Sequence, residues 1–223
     1  MRDSSAEGRD MTIQLYYASG SPYAWRVWLA LEHKRIPYAL KTLSFDKGDL
    51  ATPAFQALNP RRRVPTIEDG GFALYESAAI LEYLEDRQPG EPRLFASDVR
   101  ERALQRRMVR EADQYFADAL ERLVAQVLFT KPEERSHERI VGACEDLRRE
   151  LAFWEAALTG DWLAGPLSAV DFTLYPELAL VLRMASRNPG LIPADLMGEK
   201  VAAWKDRMEA LPIVQKTWPP HWK

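Results

Sequence analysis

The chain holds a single cysteine, Cys144, among 223 residues, so no intrachain disulfide can form. A chain without a disulfide framework fits a reducing compartment, and the expected location is the cytoplasm. Within "RIVGACEDLRRELAFW", helical spacing marks Cys144 as a small packed residue rather than a reactive thiol. Histidine is scarce too. His33, His137 and His221 stand far apart and lack metal-ligand spacing, so no metal site is expected. No apolar run is long enough to span a bilayer, which argues against a membrane partner. Nor does either charge dominate: 30 basic residues face 33 acidic ones, and the net charge of −3 makes no global field that selects nucleic acid. Short basic runs such as Arg61-Arg62-Arg63 and Arg106-Arg107 lie among acids and read as solvated surface. There is no P-loop and no G-x-G-x-x-G. "MRDSSAEGRD" has no apolar centre of a secretory signal, and residues 1–11 read as a disordered leader, or as a stretch before a true start at Met11.

What is present is enough for one large or two modest cores: 47% hydrophobic and 28% charged residues, an ordinary globular balance. Residues 12–88 alternate short strands and helices. "TIQLYYA" (Thr12–Ala18), rich in branched and aromatic residues, reads as a buried strand. Pro22–His33 follows as a helix with Ser21 at the N-cap and Pro22 at its first position. "PYALKTL" (Pro37–Leu43) is a second strand, and a short helix is expected over Pro53–Leu58. "VPTIED" (Val64–Asp69) and "FALY" (Phe72–Tyr75), joined at Gly70-Gly71, read as a hairpin, and "ESAAILEYLED" (Glu76–Asp86) as the helix after it. The order βαβαββα requires a parallel crossover first and an antiparallel pair last, hence a mixed sheet covered by helices.

Two prolines and a glycine in "RQPGEPRLFAS" mark a linker, placed at residues 89–97. Residues 98–223 read as all helical. Apolar residues recur at 104, 108, 112, 115, 116, 119, 120, 123, 124 and 127, predicting one amphipathic helix from Asp98 to about Phe129. At 1.5 Å per residue it would run roughly 45 Å, long enough to serve a bundle or an oligomer contact. A second helix is expected over Pro132–Leu158 and a third from Ser168. There Ser168 and Asp171 have capping-box spacing, and Pro176 should bend the helix or remove one of its hydrogen bonds.

Three motifs carry a resemblance. "SPYAWRV" sets an arginine five positions after a serine; "NPRRRVPTI" leads to "YESAAI"; and "WLAGPLSAVDFTLYP" closes the set. Together they resemble the cytosolic glutathione transferases of the serine type. The resemblance covers about residues 12–86 and 162–176, in the family's order. It implies a fold of the α/β plus all-α kind: a thioredoxin-like N-terminal domain over 12–88 and an all-helical domain over 98–223. It implies no cofactor, with glutathione as co-substrate, a small hydrophobic electrophile as second substrate, and a homodimer.

The resemblance also implies roles. Ser21 would donate a hydrogen bond to the glutathione sulfur, since the thiolate is the nucleophile. Its bland reading is a helix N-cap. Tyr16 and Tyr17 are the alternative donors, because other classes use a tyrosine near the end of the first strand. Tyr23 would line the electrophile pocket, as would the helix near Gln114–Phe116. Arg26 would brace the loop. The Val64-Pro65 step, cis in the family, would offer its backbone to the cysteinyl part, and Glu76 and Ser77 would take the ammonium and carboxylate of the γ-glutamyl end. Capping alone would also explain that pair. Asp171 would cap and fold the second domain. Departures exist. Relatives often carry Gly then Gln or Lys before Val-Pro, where this chain has Arg62-Arg63, so Arg63 is expected on the glycyl carboxylate. They often carry Lys or His where this chain reads Leu50-Ala51, a contact then either missing or supplied by Lys47. Thiol-exchanging relatives hold cysteine where Ser21 stands. The activity implied is glutathione transfer; the alternatives are a glutathione-dependent isomerase, dehalogenase, ether-cleaving enzyme or disulfide reductase, or a non-enzymatic binding or regulatory protein on the same scaffold. The tail "LPIVQKTWPPHWK" points to no role beyond packing or pocket closure.

Overall fold

A computed structural model describes residues 12–222; the leader expected over 1–11 and the terminal Lys223 lie outside them. The chain divides into two compact units. The first runs to Pro92 and also takes in Pro219–His221; the second covers Arg93–Trp218 and Trp222.

In the first unit the strands are β1 (Ile13–Tyr17), β2 (Tyr38–Thr42), β3 (Thr66–Asp69) and β4 (Phe72–Tyr75), in the order β2-β1-β3-β4. β1 and β2 are parallel, while β3 runs antiparallel to both β1 and β4. With α1 (Pro22–Lys34), α2 (Pro53–Leu58) and α3 (Ser77–Arg87), this is the expected thioredoxin-like βαβαββα arrangement. Alternation along β1 explains the layering. Ile13, Leu15 and Tyr17 point into one buried face, where Tyr17 packs on Trp28 of α1 with ring centroids 5.1 Å apart. Tyr16, on the other face, meets Phe55 of α2 at 5.8 Å. α1 starts as the sequence predicts, with Ser21 Oγ accepting from the Ala24 N–H at 3.3 Å. A buried pair ties its end to α3: the Lys34 ammonium donates to Glu85 at 2.8 Å and to the Pro92 carbonyl at 3.2 Å.

The second unit is helical: α4 (Val99–Glu111), α5 (Ala117–Val127), α6 (His137–Ala157), α7 (Ala169–Arg187), α8 (Glu199–Ala210) and α9 (Pro212–Thr217). Asp98 caps α4 through the N–H groups of Arg100 and Glu101, as the predicted start requires. Between α4 and α5 the chain stays helical but widens into a π-helical segment, Ala112–Phe116. That turn changes the phase of the predicted apolar stripe. Met108, Ala112, Phe116, Leu120 and Leu123 are buried, whereas Leu104 and Tyr115, counted in the stripe, are more than half exposed. The helix expected from Pro132 to Leu158 also differs. Pro132–Glu134 forms a separate 3-10 turn, and α6 starts afresh with Ser136 Oγ accepting from the Arg139 N–H. The break is held by Arg135, which donates to the carbonyls of Val127 at 2.8 Å and Thr130 at 3.3 Å and so closes α5. α8 and α9 follow the third predicted helix as separate elements.

The capping box at α7 is present and extends beyond its own helix. The wholly buried Asp171 carboxylate accepts from Ser168 N–H and Leu163 N–H, both at 3.0 Å, from the Ser168 hydroxyl at 3.2 Å and from Trp204 Nε1 of α8 at 2.9 Å. Burial pushes its carboxyl pKa up while these donors pull it down. Pro176 lies inside α7, which continues to Arg187. Cys144 packs within α6 as expected, and burial pushes its thiol pKa up, away from reactivity. Among the described residues no helix is long and apolar enough to cross a membrane, and no group of His, Cys, Asp and Glu could hold a metal ion.

Candidate functional site

Strand register brings the predicted residues of the first unit to one end of its sheet. Tyr16 pairs with Thr66, and Thr66 pairs with Tyr75. The turn after β1 that carries Ser21, the Val64-Pro65 step before β3 and the Glu76-Ser77 step after β4 therefore all leave the same end. Tyr17 pairs with Thr42, so the segment after β2 that carries Lys47 begins there as well.

The turn into α1 is tight. The Ser21 N–H donates to the Ala18 carbonyl at 3.2 Å, and Gly20 takes φ +86°, a conformation that suits glycine. Ser21 is 8% exposed. Its oxygen accepts from Ala24, and among the described residues nothing accepts its hydroxyl hydrogen. Both earlier readings of Ser21 therefore remain open in the geometry: the cap uses the oxygen lone pair and leaves the donor uncommitted. The α1 N-terminus adds a field favourable to negative charge nearby.

The alternative donors differ. Tyr16 donates its phenol to Glu68 at 3.2 Å, and burial together with that carboxylate pushes its pKa up. Its hydrogen is already engaged within the sheet. Tyr17 is buried against Trp28. The wholly buried Arg26 lies 5.2 Å from the ring centroid of Tyr23, a cation–π contact that fixes both on the first turns of α1.

Val64-Pro65 is cis. The Val64 backbone N–H and C=O make no hydrogen bond among the described residues, although the side chain is buried. What shapes this segment is Asn59, which the sequence reading left as a motif letter. Its amide, 1% exposed, donates to the Arg63 carbonyl at 2.8 Å and to Thr66 Oγ1 at 3.0 Å, and its oxygen accepts from Arg61 N–H at 2.9 Å. With Arg62 at φ +55°, the loop is bent so that the Arg61, Arg62 and Arg63 side chains are exposed. Arg63 and Lys47 make no ion pair among the described residues.

At α3 the capping expectation and the structure part company. Glu76 occupies the N-cap at φ +70° and makes no capping hydrogen bond, and its side chain is exposed. Ser77 is 9% exposed, and its hydroxyl has no partner among the described residues. A non-glycine residue at positive φ costs on the order of 1–3 kcal/mol and persists where surroundings over-determine it. Carboxylate, hydroxyl and the first N–H groups of α3 are thus present together and unspent. Asp171 belongs to the second unit and is engaged in packing there. Gln114 and Tyr115 are exposed on the π-helical turn, and Phe116 is buried.

The chain is similar to known proteins along its length. The profile of "Glutathione S-transferase, N-terminal domain" matches residues 20–87. Glutathione S-transferase A of Pleuronectes platessa is 30% identical over 227 residues, covering 96% of this chain and 93% of its own. A maleylacetoacetate isomerase of Pseudomonas aeruginosa is 42% identical over 97 residues, 43% of this chain and 45% of that protein. Among solved structures, a glutathione S-transferase from the Antarctic clam Laternula elliptica superposes with a TM-score of 0.79 at 30% identity, over 95% of this chain and 94% of that one. With similarity running the length of both chains, this chain belongs to the glutathione S-transferase family.

Proposed function

We propose that the chain is a glutathione transferase that lowers the pKa of the glutathione thiol with Ser21 and adds the thiolate to a small hydrophobic electrophile. The observation that carries this is the shared sheet end, where an uncommitted hydroxyl, an unpaired backbone step and an unspent helix start converge. Val64 offers N–H and C=O to an extended peptide as a neighbouring strand would. Glu76 receives the ammonium, Ser77 and the α3 N-terminus the carboxylate of the γ-glutamyl end. Arg63 or Lys47 receives the glycyl carboxylate. So held, the thiol lies beside the Ser21 hydroxyl and the α1 N-terminus. Its proton leaves to solvent, the hydroxyl donates to the sulfur anion, and the sulfur lone pair forms the new bond to the electrophile; a leaving group such as halide departs with its bonding pair, or an activated double bond takes the pair and then a proton from solvent.

Isomerisation is the second reading, supported by the 42% identity with a maleylacetoacetate isomerase. There the thiolate adds to a substrate double bond and is expelled after rotation, so the same activated sulfur serves. The same reading includes a cytoplasmic homodimer; a light-scattering mass of one chain would remove the dimer.

Ultraviolet titration of bound glutathione tests the core claim. The native complex should show thiolate at neutral pH, with Ser21→Ala raising the thiol pKa by about 1–2 units, the worth of one hydrogen bond to an ion. Binding without thiolate in the native chain would defeat the proposal.

A further inference from the structure

We infer that His221, three residues from the C-terminus, is a positioning residue for thiol activation, acting through Ser19 on the turn that carries Ser21. The inference rests on the role proposed for Ser21. Ser19 Oγ and His221 Nδ1 lie 2.6 Å apart, joining residues 202 positions apart in sequence. Pro219–His221 belongs to the first unit although the helices before it belong to the second. Two consecutive prolines, Pro219 and Pro220, stiffen the approach, and a 3-10 turn over Pro220–Trp222 presents the imidazole.

The partner is well chosen for leverage. Ser19 and Gly20 are the central pair of the Ala18–Ser21 turn, with Gly20 at φ +86° closing it. Its backbone bond sets the direction in which Ser21 leaves the strand, but Ser19 is otherwise on the partly exposed side of the turn. A side-chain bond there restrains the one segment whose rotation would carry the Ser21 hydroxyl away from the sulfur. A neutral imidazole accepts the Ser19 hydroxyl at Nδ1, and an Nδ1–H donates to it, so the tie does not depend on one tautomer. Misplacement of a donor by a fraction of an ångström weakens its bond to a developing anion, so restraint of the turn is worth rate as well as order.

The test uses the full-length chain with four variants: Ser19→Ala, His221→Ala, the double variant and His221→Asn, whose amide stands where Nδ1 does. The readouts are thiolate titration of bound glutathione, kcat and KM with a small aryl halide electrophile, and thermal midpoint. Each alanine variant should lower kcat about fivefold, the equivalent of one net hydrogen bond, and raise the bound thiol pKa by a few tenths, leaving the KM for glutathione little changed. The double variant should lose no more than either single one, and His221→Asn should recover most of the loss. Unchanged kcat and thiol pKa in His221→Ala, with or without a lowered thermal midpoint, would leave the histidine a purely structural tie and overturn the inference alone. A native chain that binds glutathione without thiolate would overturn the reading of Ser21 and this inference with it.

Discussion

Two helix starts in this chain look alike as sequence and behave oppositely as structure. α7 opens with Ser168 and Asp171, α3 with Glu76 and Ser77; each offers an acid and a hydroxyl at an N-terminus, and capping alone would account for both. At α7 each polar group is engaged. Asp171 gathers four donors from its own turn, from Leu163 and from α8, and it is completely buried. At α3 the acid makes no cap, the hydroxyl has no partner among the described residues, and Glu76 is held at φ +70°. The same residue chemistry thus serves cohesion in one unit and stays unengaged among the described residues in the other. What separates them is whether neighbouring donors fill the carboxylate.

Breaking the closed cap should have the largest effect. Asp171→Ala orphans the buried N–H groups of Leu163 and Ser168 and the Trp204 indole, and should cost about 3–4 kcal/mol of unfolding free energy. Urea denaturation measures it; a loss below about 1 kcal/mol would mean the buried carboxylate is not the hub described. The glutathione affinity of the remaining folded protein should be unchanged.

The open cap should respond in the reverse sense. Glu76→Gly relieves the positive-φ strain and should raise stability by about 1 kcal/mol, while glutathione affinity falls about tenfold or more for loss of a charged hydrogen bond. Calorimetry of binding and of unfolding reads the two signs separately. Affinity retained with stability gained would return Glu76 to an ordinary surface position.

A third start sharpens the comparison with a smaller effect. α8 is capped by a residue of another helix: Glu155 of α6 accepts from Lys200 and Val201 N–H groups, both at 2.9 Å. A Cβ at Gly198 would overlap the Glu155 carboxyl group. Gly198→Ala should therefore displace the carboxylate and cost about 1 kcal/mol, the usual worth of a cap. Glu155→Ala should cost about the same, and the pair no more than either. Additive losses in a thermal-melt cycle would separate the glycine from the cap.

Legibility in sequence follows the same division. The β3–β4 hairpin, the α1 N-cap and the Ser168–Asp171 box could be read because their signals lie within a few residues of one another. The π-helical turn could not: Tyr115 fits the apolar period, and only packing of the neighbouring helices decided which side of the wider turn faces inward. Ser136 was hidden as a helix start because the preceding Pro132 is an equally good signal, and the Arg135 guanidinium on the Val127 carbonyl of α5 and the Thr130 carbonyl after it decided between them. Asn59 carried a faint signal in its Asn-Pro step. Its three bonds across the loop are a matter of chain path.

By itself the sequence determined where strands and helices alternate in the first unit, which face of β1 is apolar, and where the caps of α1 and α7 stand, because propensity, periodicity and capping act over a few residues. Tertiary structure alone decided the rest. Register between β1, β3 and β4 carried Ser21, Val64 and Glu76 to one sheet end; the chain path set His221 against Ser19; and neighbouring donors filled Asp171 while leaving Glu76 open. Each of these joins residues distant along the chain, and no local rule reports whether a buried or exposed polar group will find its partner there.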